Sequence, residues 1–259
     1  MNNPRLPISV CLIAGNEAAR IRRTLASVAG WTHEIIIVLN DDVNDGTDQI
    51  AAEFGAKVFR EPWKGHIAQK NSAAQKAGGD WILGLDADEE ISPPLRDEIR
   101  RALAKPGDCA AFRFPRCTQF CRRWIRHGDW YPDHQTRLWR RGRAHWGGVD
   151  PHDKLIVEGR VGNLNSDLLH DNAETIDRQI AKISSYSEDF LRDALARGRG
   201  ASGFDLTVRP AWRFVRSYFL RLGFLDGWQG GYIAWMTAFY TATRYAKVRA
   251  AQEQKNRPG

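Results

Sequence analysis

The segment Trp81-Ile82-Leu83-Gly84-Leu85 is an unbroken apolar run that ends abruptly in Asp86-Ala87-Asp88-Glu89-Glu90. Five apolar residues with no polar alternation suit a strand buried on both faces, the situation of a parallel strand covered by helices. A strand that delivers carboxylates to its C-terminal edge puts charge where open α/β sheets bind ligands. Two aspartates one residue apart at that edge can share a hard divalent cation through oxygen ligands, and a cation there can neutralise a diphosphate. The competing reading is a charged helix start leading into Pro93-Pro94.

The surrounding pattern favours the sheet. Residues 8–13, 34–39 and 57–60 read as strands, and helices are expected from Asn16 to about residue 29, over 47–54 and over 67–76. Strand–helix alternation at this spacing predicts an α/β fold, a mostly parallel Rossmann-like sheet flanked by helices. Pro93-Pro94 starts a further helix that ends near Lys105-Pro106-Gly107. From about residue 110 to 170 short β-like runs alternate with turns rich in Gly, Pro, Trp and His. Helices dominate from residue 173, interrupted at 198–203. The expected division is therefore 1–170, with halves 7–107 and 108–170, and then a helical, basic and aromatic extension over 171–259. No internal repeat is visible.

The chain carries 38 Lys and Arg against 31 Asp and Glu, a formal charge of +7. Arginines crowd residues 113–143 and 209–221, which suits phosphate-bearing partners such as a nucleotide, an anionic lipid or a nucleic acid. The four cysteines (Cys11, Cys109, Cys117, Cys121) do not form a disulfide framework, since Cys11 falls inside an expected buried strand. Cys117, Cys121 and His127 lack the second ligand pair of a zinc site. Nothing at the N-terminus resembles a signal peptide, so a cytoplasmic location is expected. The apolar stretch 228–240 is too short to span a bilayer, which leaves membrane-surface contact open.

Several short motifs lie where ligand-binding loops belong. Asn16-Glu17 comes after the first strand and Gly15. Asn40-Asp41-Asp42-Val43-Asn44-Asp45-Gly46-Thr47 comes after the second strand, where carboxylates and amides can bond a base or ribose. Asp45-Gly46-Thr47-Asp48 is also a sound helix cap. No GxGxxG or P-loop spacing is present. Lys70-Asn71 lies on the helix before the acidic strand, so one of the two can face the same crevice. The other reading is a solvated helix face.

Taken in order, strand–Asn-Glu, strand–acidic turn–Asp-Gly-Thr, Lys-Asn and strand–Asp-Ala-Asp-Glu resemble the nucleotide-sugar domain of family 2 glycosyltransferases. Residues 124–133, 135–142, Pro151-His152-Asp153-Lys154-Leu155 and Leu168-Leu169-His170 resemble the bacterial lipopolysaccharide-core branch. So do Arg213-Phe214-Val215-Arg216-Ser217-Tyr218-Phe219 and residues 223–228. The resemblance covers residues 7 to 246 and rests on ordered blocks.

It implies a GT-A fold and inverting transfer from a nucleotide-sugar, with a UDP-sugar as the expected donor. Asp86 and Asp88 would form the DxD element, Asp88 being the better candidate for direct ligation of Mg²⁺ or Mn²⁺ as a Lewis acid on the leaving diphosphate. Asn16 and Glu17 would line the nucleoside pocket, with Lys70 and Asn71 nearby. Where the family usually has an aspartate after the second strand this chain has Asn40, so either Asp41 compensates or base selectivity differs. Asp153 is the preferred general base, Asp133 the alternative, and each can instead cap a turn. His152 would assist the metal or diphosphate, His170 less so, and Arg137 would pair with phosphate or an acceptor carboxylate. A salt bridge within the fold accounts equally for Arg137. The arginines and aromatics of 209–224 suit an anionic membrane interface, hence a lipid-linked acceptor met peripherally on the inner face of the cytoplasmic membrane. The same residues also read as a helix packing its aromatics on a core.

Two other classes share some of these features. A nucleotidyltransferase can use a similar sheet and acidic site, but it needs a Gly-rich basic loop after the first strand, which Ala14-Gly15-Asn16-Glu17 lacks. A basic nucleic-acid-binding protein would leave the acidic strand end without a role, so no nucleic-acid partner is expected.

Overall fold

The computed structural model describes residues 4–150 and 152–255. They form β1 (Leu6–Ala14), α1 (Ile21–Val28), β2 (Thr32–Asn40), α2 (Thr47–Glu53), β3 (Lys57–Glu61), α3 (His66–Gln75), β4 (Trp81–Leu85), β5 (Glu89–Ile91) and α4 (Pro93–Ala104). Next come β6 (Cys109–Phe120), β7 (Arg123–Trp124), β8 (Asp133–Arg140), β9 (Ala144–Val149), β10 (His152–Val157), β11 (Arg160–Asn163) and β12 (Leu168–Glu174). The chain ends in α5 (Ile176–Ala196), α6 (Gly203–Val215) and α7 (Gly227–Lys255). It divides into two compact units: residues 1–116 with 133–170, and residues 117–132 with 171–259.

In the first unit the sheet runs β3-β2-β1-β4-β8-β6-β12-β5. β3, β2, β1 and β4 are mutually parallel, and β8 joins β4 antiparallel, with Leu83 opposite Leu138. The sheet is thus mixed, flanked by helices, and the α/β expectation with a helical C-terminal region is met. β1 and β2 are buried because they lie inside the sheet with helices on both faces; Ile8, Val10, Ile36 and Ile37 have no exposed surface. Each such side chain contributes roughly 1.5–3 kcal/mol of burial. α1 starts at Ile21 and not at Asn16, because residues 16–20 are drawn into a loop by Asp45 and Thr47. The Thr47 hydroxyl accepts from the Glu17 amide (3.0 Å), and the Asp45 carboxylate accepts from the Ala18 amide (3.0 Å). α4 starts at Pro93 as expected, capped by the Ser92 hydroxyl, which accepts from the Leu95 amide.

Gly84 sits in the middle of β4, where a side chain would be expected. A Cβ there would come within 3.0–3.1 Å of the Trp139 and Trp146 rings, which meet edge to face with centroids 6.0 Å apart. The glycine makes room for two indoles that lie under the charged end of β4. Beneath the same sheet, burial and the nearby Glu34 charge push the Cys11 thiol up to about 12, and all four cysteines are free.

Glu34, on β2, ties three segments together. It accepts from the Ser9 hydroxyl (2.6 Å), the Gly78 amide (2.7 Å) and the Lys57 ammonium (2.7 Å). Burial alone would raise its carboxyl, but Lys57, Ser9 and Gly78 outweigh it and hold it at about 2. Because the folded value lies below the unfolded one, its stabilisation is complete above about pH 4.5 and is lost as pH falls towards 2. Stability measured by denaturant should drop by about 2 kcal/mol over that window, and Glu34→Gln should flatten the drop. An unchanged acid limb in Glu34→Gln would remove Glu34 as its source.

In the second unit the end of β6 turns back through Cys121-Arg122 onto β7, with Gln119 opposite Trp124. Both turn residues are left-handed (φ 46° and 66°), as a two-residue type I′ hairpin demands. α6 opens with a reciprocal Ser202–Asp205 capping box. α6 ends in a π turn (Arg216–Leu220), and a 3-10 turn (Gly223–Asp226) leads into α7. The buried Asp226 carboxylate accepts from the Arg126 and His127 amides (3.0 and 2.8 Å) and bonds His127 Nδ1 (3.1 Å). No helix among the described residues is long and apolar enough to cross a membrane.

Candidate active site

The C-terminal ends of β1, β2 and β4 open onto a cleft of about 630 Å³ in the first unit. Gly15, Glu17, Asn40 and Asp42 line one part of it; Asp86, Asp88 and His170 line another, and Trp63 and His66 also face it. This is the position that an open parallel sheet offers to a ligand.

Around the acidic strand end, charges of alternating sign form a ladder. The Lys70 ammonium lies 2.9 Å from Asp153 Oδ2 and 3.0 Å from Asp86 Oδ1. Arg137 Nη2 lies 2.6 Å from Asp86 Oδ2 and 2.8 Å from Glu89 Oε1. Arg116 then lies 3.4 Å from Glu89 Oε1 and 2.7 Å from Asp133 Oδ2. The order is Asp153–Lys70–Asp86–Arg137–Glu89–Arg116–Asp133, so both candidate bases end the same ladder. Trp146 underlies its centre, with Lys70 Nζ 4.6 Å and the Arg137 guanidinium 5.5 Å from an indole ring centroid.

Burial would raise the Asp86 carboxyl, but the Arg137 and Lys70 charges overcome it and hold it far below the usual carboxylate range. Arg137 is 4 % exposed; burial opposes its charge, and Asp86 and Glu89 more than restore it. Glu89 closes the turn: its Oε2 accepts from the Asp86 amide (3.0 Å), while its own amide donates to the Asp86 carbonyl (3.0 Å). The turn is thereby fixed with Asp86 and Asp88 both on the cleft.

Asp88 is held more loosely, with Oδ1 3.6 Å from His170 Nε2 and Oδ2 3.9 Å from Arg20 Nη1. Burial pushes its carboxyl up, and His170 chiefly brings it below the ordinary value. No group of three or more His, Cys, Asp or Glu among the described residues is arranged to hold a metal. A single carboxylate still fits Mg²⁺ or Mn²⁺ if phosphate oxygens and water complete the shell, and a neighbouring imidazole suits the softer Mn²⁺ better than the oxygen-seeking Mg²⁺. Asp88 and His170 would supply the protein ligands, because both Asp86 oxygens are taken by cations.

The other expected residues divide. Glu17 lines the cleft, and its Oε2, 3.3 Å from Arg20 Nε, makes no hydrogen bond within the described residues. Burial raises its carboxyl, Arg20 opposes, and Asp88 and Asp45 add to the rise. Asn40 also faces the cleft, but Asn16 and Asp41 are exposed and are not among its lining residues. Asp42 takes the place expected of Asp41. Asn71 points elsewhere: its amide pairs with the Trp146 backbone at 2.8 and 2.9 Å and so positions β9. The expectation for His152 rests on a side chain outside the described residues. Sequence reasoning placed Asp42 only within the acidic turn after the second strand, and missed Trp63 and His66 as lining residues and Glu89 as the turn's lock. The signal for Glu89 was its place three residues after Asp86, within reach of that residue's amide.

The sequence profile of Glycosyl transferase family 2 matches residues 9–156, which contain most of β1, all of β2 to β4, the acidic turn and Asp153. The chain belongs to glycosyltransferase family 2. An uncharacterized glycosyltransferase of Rickettsia felis is 31 % identical over 257 residues, covering 93 % of this chain and 89 % of the relative. The lipopolysaccharide core biosynthesis glycosyltransferase LpsC of Rhizobium meliloti is 28 % identical over 268 residues, covering 98 % and 96 %. Among solved structures, the mannosyltransferase PcManGT of Pyrobaculum calidifontis, in complex with GDP-Man and Mn²⁺, superposes with a TM-score of 0.53. It is 14 % identical and covers 99 % of this chain and 78 % of that one. As a family 2 member with a GT-A fold, the chain is a glycosyltransferase. The basic binding-protein and nucleotidyltransferase readings therefore fall away.

Proposed function

We propose that this glycosyltransferase moves a sugar, with inversion, from a nucleotide-sugar to a lipopolysaccharide-core or related cell-surface glycan. The observation that carries the proposal is the cleft itself. The Glu17 carboxylate lies on its wall beside Arg20, and so does the Asp86–Asp88 turn. The first suits a donor N–H or hydroxyl of a nucleoside, the second a ribose and diphosphate. The GDP-Man and Mn²⁺ of PcManGT support a nucleotide-sugar with a divalent cation, and the name of LpsC supports the acceptor class. In this reading residues 7–107 form the donor half and 108–170 the acceptor half, with 171–259 as the C-terminal region. The acceptor is lipid-linked and anionic, met at the inner face of the cytoplasmic membrane.

Inverting transfer requires the acceptor oxygen to attack the anomeric carbon from the face opposite the diphosphate, while a base removes its proton. Asp153 is the preferred base because Lys70 engages Oδ2 alone, whereas Arg116 and Gln135 engage both oxygens of Asp133. Asp86, fixed by Lys70 and Arg137, accepts a hydrogen bond from a donor hydroxyl through a lone pair that neither cation uses. Asn40 and Asp42 face the base, and the amide at position 40 accepts no charge-assisted bond, so uridine is one donor among those to be tried. A divalent cation on Asp88 and His170, when bound, would offset the negative charge of the leaving diphosphate.

Screening UDP-, GDP-, ADP- and CMP-sugars for hydrolysis with Mg²⁺ or Mn²⁺ should reveal one metal-dependent donor; no hydrolysis of any would sink the reading. Asp153→Asn should lower transfer by about 10²–10⁴-fold while the donor KM changes by less than about threefold. Retained transfer would move the base to Asp133.

A further inference from the structure

We infer that the second unit carries a membrane-docking knuckle, built from the Cys121-Arg122 hairpin tip and the loop around Phe219–Trp228, that seats on an anionic lipid bilayer. The inference deepens the reading of a lipid-linked acceptor, on which its biological sense rests, while its physical test requires no transfer.

Six large apolar side chains project from ten consecutive positions: Phe219, Leu220, Leu222, Phe224, Leu225 and Trp228 are 43–61 % exposed. Scattered exposed leucines are ordinary on soluble proteins, but a contiguous cluster of this density marks an interaction surface. Trp212 on α6 and Trp235 and Phe239 on α7 are also more than half exposed. α6 and α7 pack together through Phe214 and Trp235, with ring centroids 4.8 Å apart.

The backbone here is held in conformations that cost energy. Cys121, Arg122 and Leu222 are the non-glycine residues with positive φ among the described residues, and all three belong to this feature. Arg123 Nη2 donates to the Leu225 carbonyl at 2.9 Å, tying the hairpin to the loop. Such strain persists where the surrounding structure over-determines it, typically at functional surfaces. For Leu222 its effect is to keep a leucine 45 % exposed at the turn between the π and 3-10 segments.

Charge names the partner. Around the loop, residues 206–243 hold four arginines, of which Arg209 pairs with Asp205, and one acid, Asp226, which is 3 % exposed. Arg213, Arg216 and Arg221 share one counter-ion, Asp129, at 3.1–3.5 Å, so the group stays positive by two. Arg122, at the hairpin tip, is exposed. Aromatic and aliphatic side chains rimmed by cations, with no helix able to span, match a surface that lies in the headgroup region of anionic lipid.

The full chain should co-sediment at low salt with vesicles of phosphatidylglycerol and phosphatidylcholine, bind vesicles of phosphatidylcholine alone far less, and release at high salt. Leu220→Glu/Leu225→Glu should weaken partitioning by about tenfold or more with an unchanged melting temperature, since both side chains are exposed. Arg122→Glu provides a second variant, changing charge without apolar area, and should weaken binding only to anionic vesicles. The inference is overturned if the wild-type chain stays in the supernatant with anionic vesicles at low salt, or if the double variant partitions unchanged. It is also overturned if the wild type self-associates without lipid and the double variant abolishes that association, which would assign the face to a second copy. Donor hydrolysis, measured without vesicles on the same preparations, reports on the catalytic reading separately.

Discussion

Asp88→Ala should lower metal-dependent donor hydrolysis by about 10²–10³-fold while leaving the melting temperature nearly unchanged. The two halves of that expectation come from the same geometry. Among the described residues Asp88 is held by His170 at 3.6 Å and Arg20 at 3.9 Å, both long contacts, so little stability is lost with it. It is also the acidic-turn carboxylate not already neutralised by a close cation pair. Hydrolysis rates at saturating donor with Mg²⁺ or Mn²⁺ are the measurement. Undiminished turnover in Asp88→Ala would remove that residue from the metal-ligand assignment. His170→Ala, acting on the same point, should give a smaller loss in the same direction.

Glu89→Ala should have the opposite signature, a fold-level effect. Glu89 has no exposed surface and faces a guanidinium that is itself buried. Removing it leaves Arg137 with Asp86 alone, releases the Asp86 amide and strips Arg116 of one partner. Breaking a buried, hydrogen-bonded pair in this way costs about 3–5 kcal/mol, which for a chain of this size lowers Tm by about 10 °C. Glu89→Gln, which retains a hydrogen-bonding oxygen, should fall between. A Tm within about 1 °C of wild type for Glu89→Ala would mean that the ladder is not what fixes the turn.

The sequence exposed the parts of the site that depend on periodicity. Trp81–Leu85 is an apolar run with sharp ends, and the residues just past a buried parallel strand must lie at its C-terminal edge; Asp86 and Asp88 were therefore legible. Lys70 was legible for a similar reason, as one of two adjacent helix residues, of which only one can face a given crevice. Its neighbour Asn71 is turned by about 100° and meets the Trp146 backbone instead. Long-range pairing was not legible. β5 is three residues long and pairs with β12, far along the chain, so no local pattern announces it. Without β5, Glu89 reads as one more solvated acid. Trp63 and His66 lie in the connection after β3 and at the start of α3, where side-chain direction is set by loop geometry and not by period. The late start of α1 had the same origin: Asn16-Glu17-Ala18 carries helix-compatible residues, and the Asp45 and Thr47 side chains from another loop decide otherwise.

Gly84 has one more consequence. The Trp146 indole that supports Lys70 and Arg137, and the Trp139 ring packed against it, occupy space that a single methyl group at position 84 would claim. Chemistry at the cleft is therefore sensitive to a position that touches no substrate, and the sensitivity is steric. Exchange of this glycine for alanine would displace Trp139 and Trp146 by a few tenths of an ångström. In related chains, a larger residue here should be accompanied by a smaller ring at 139 or 146. The site's evolutionary freedom is thus set as much by the volume beneath its charges as by the charges.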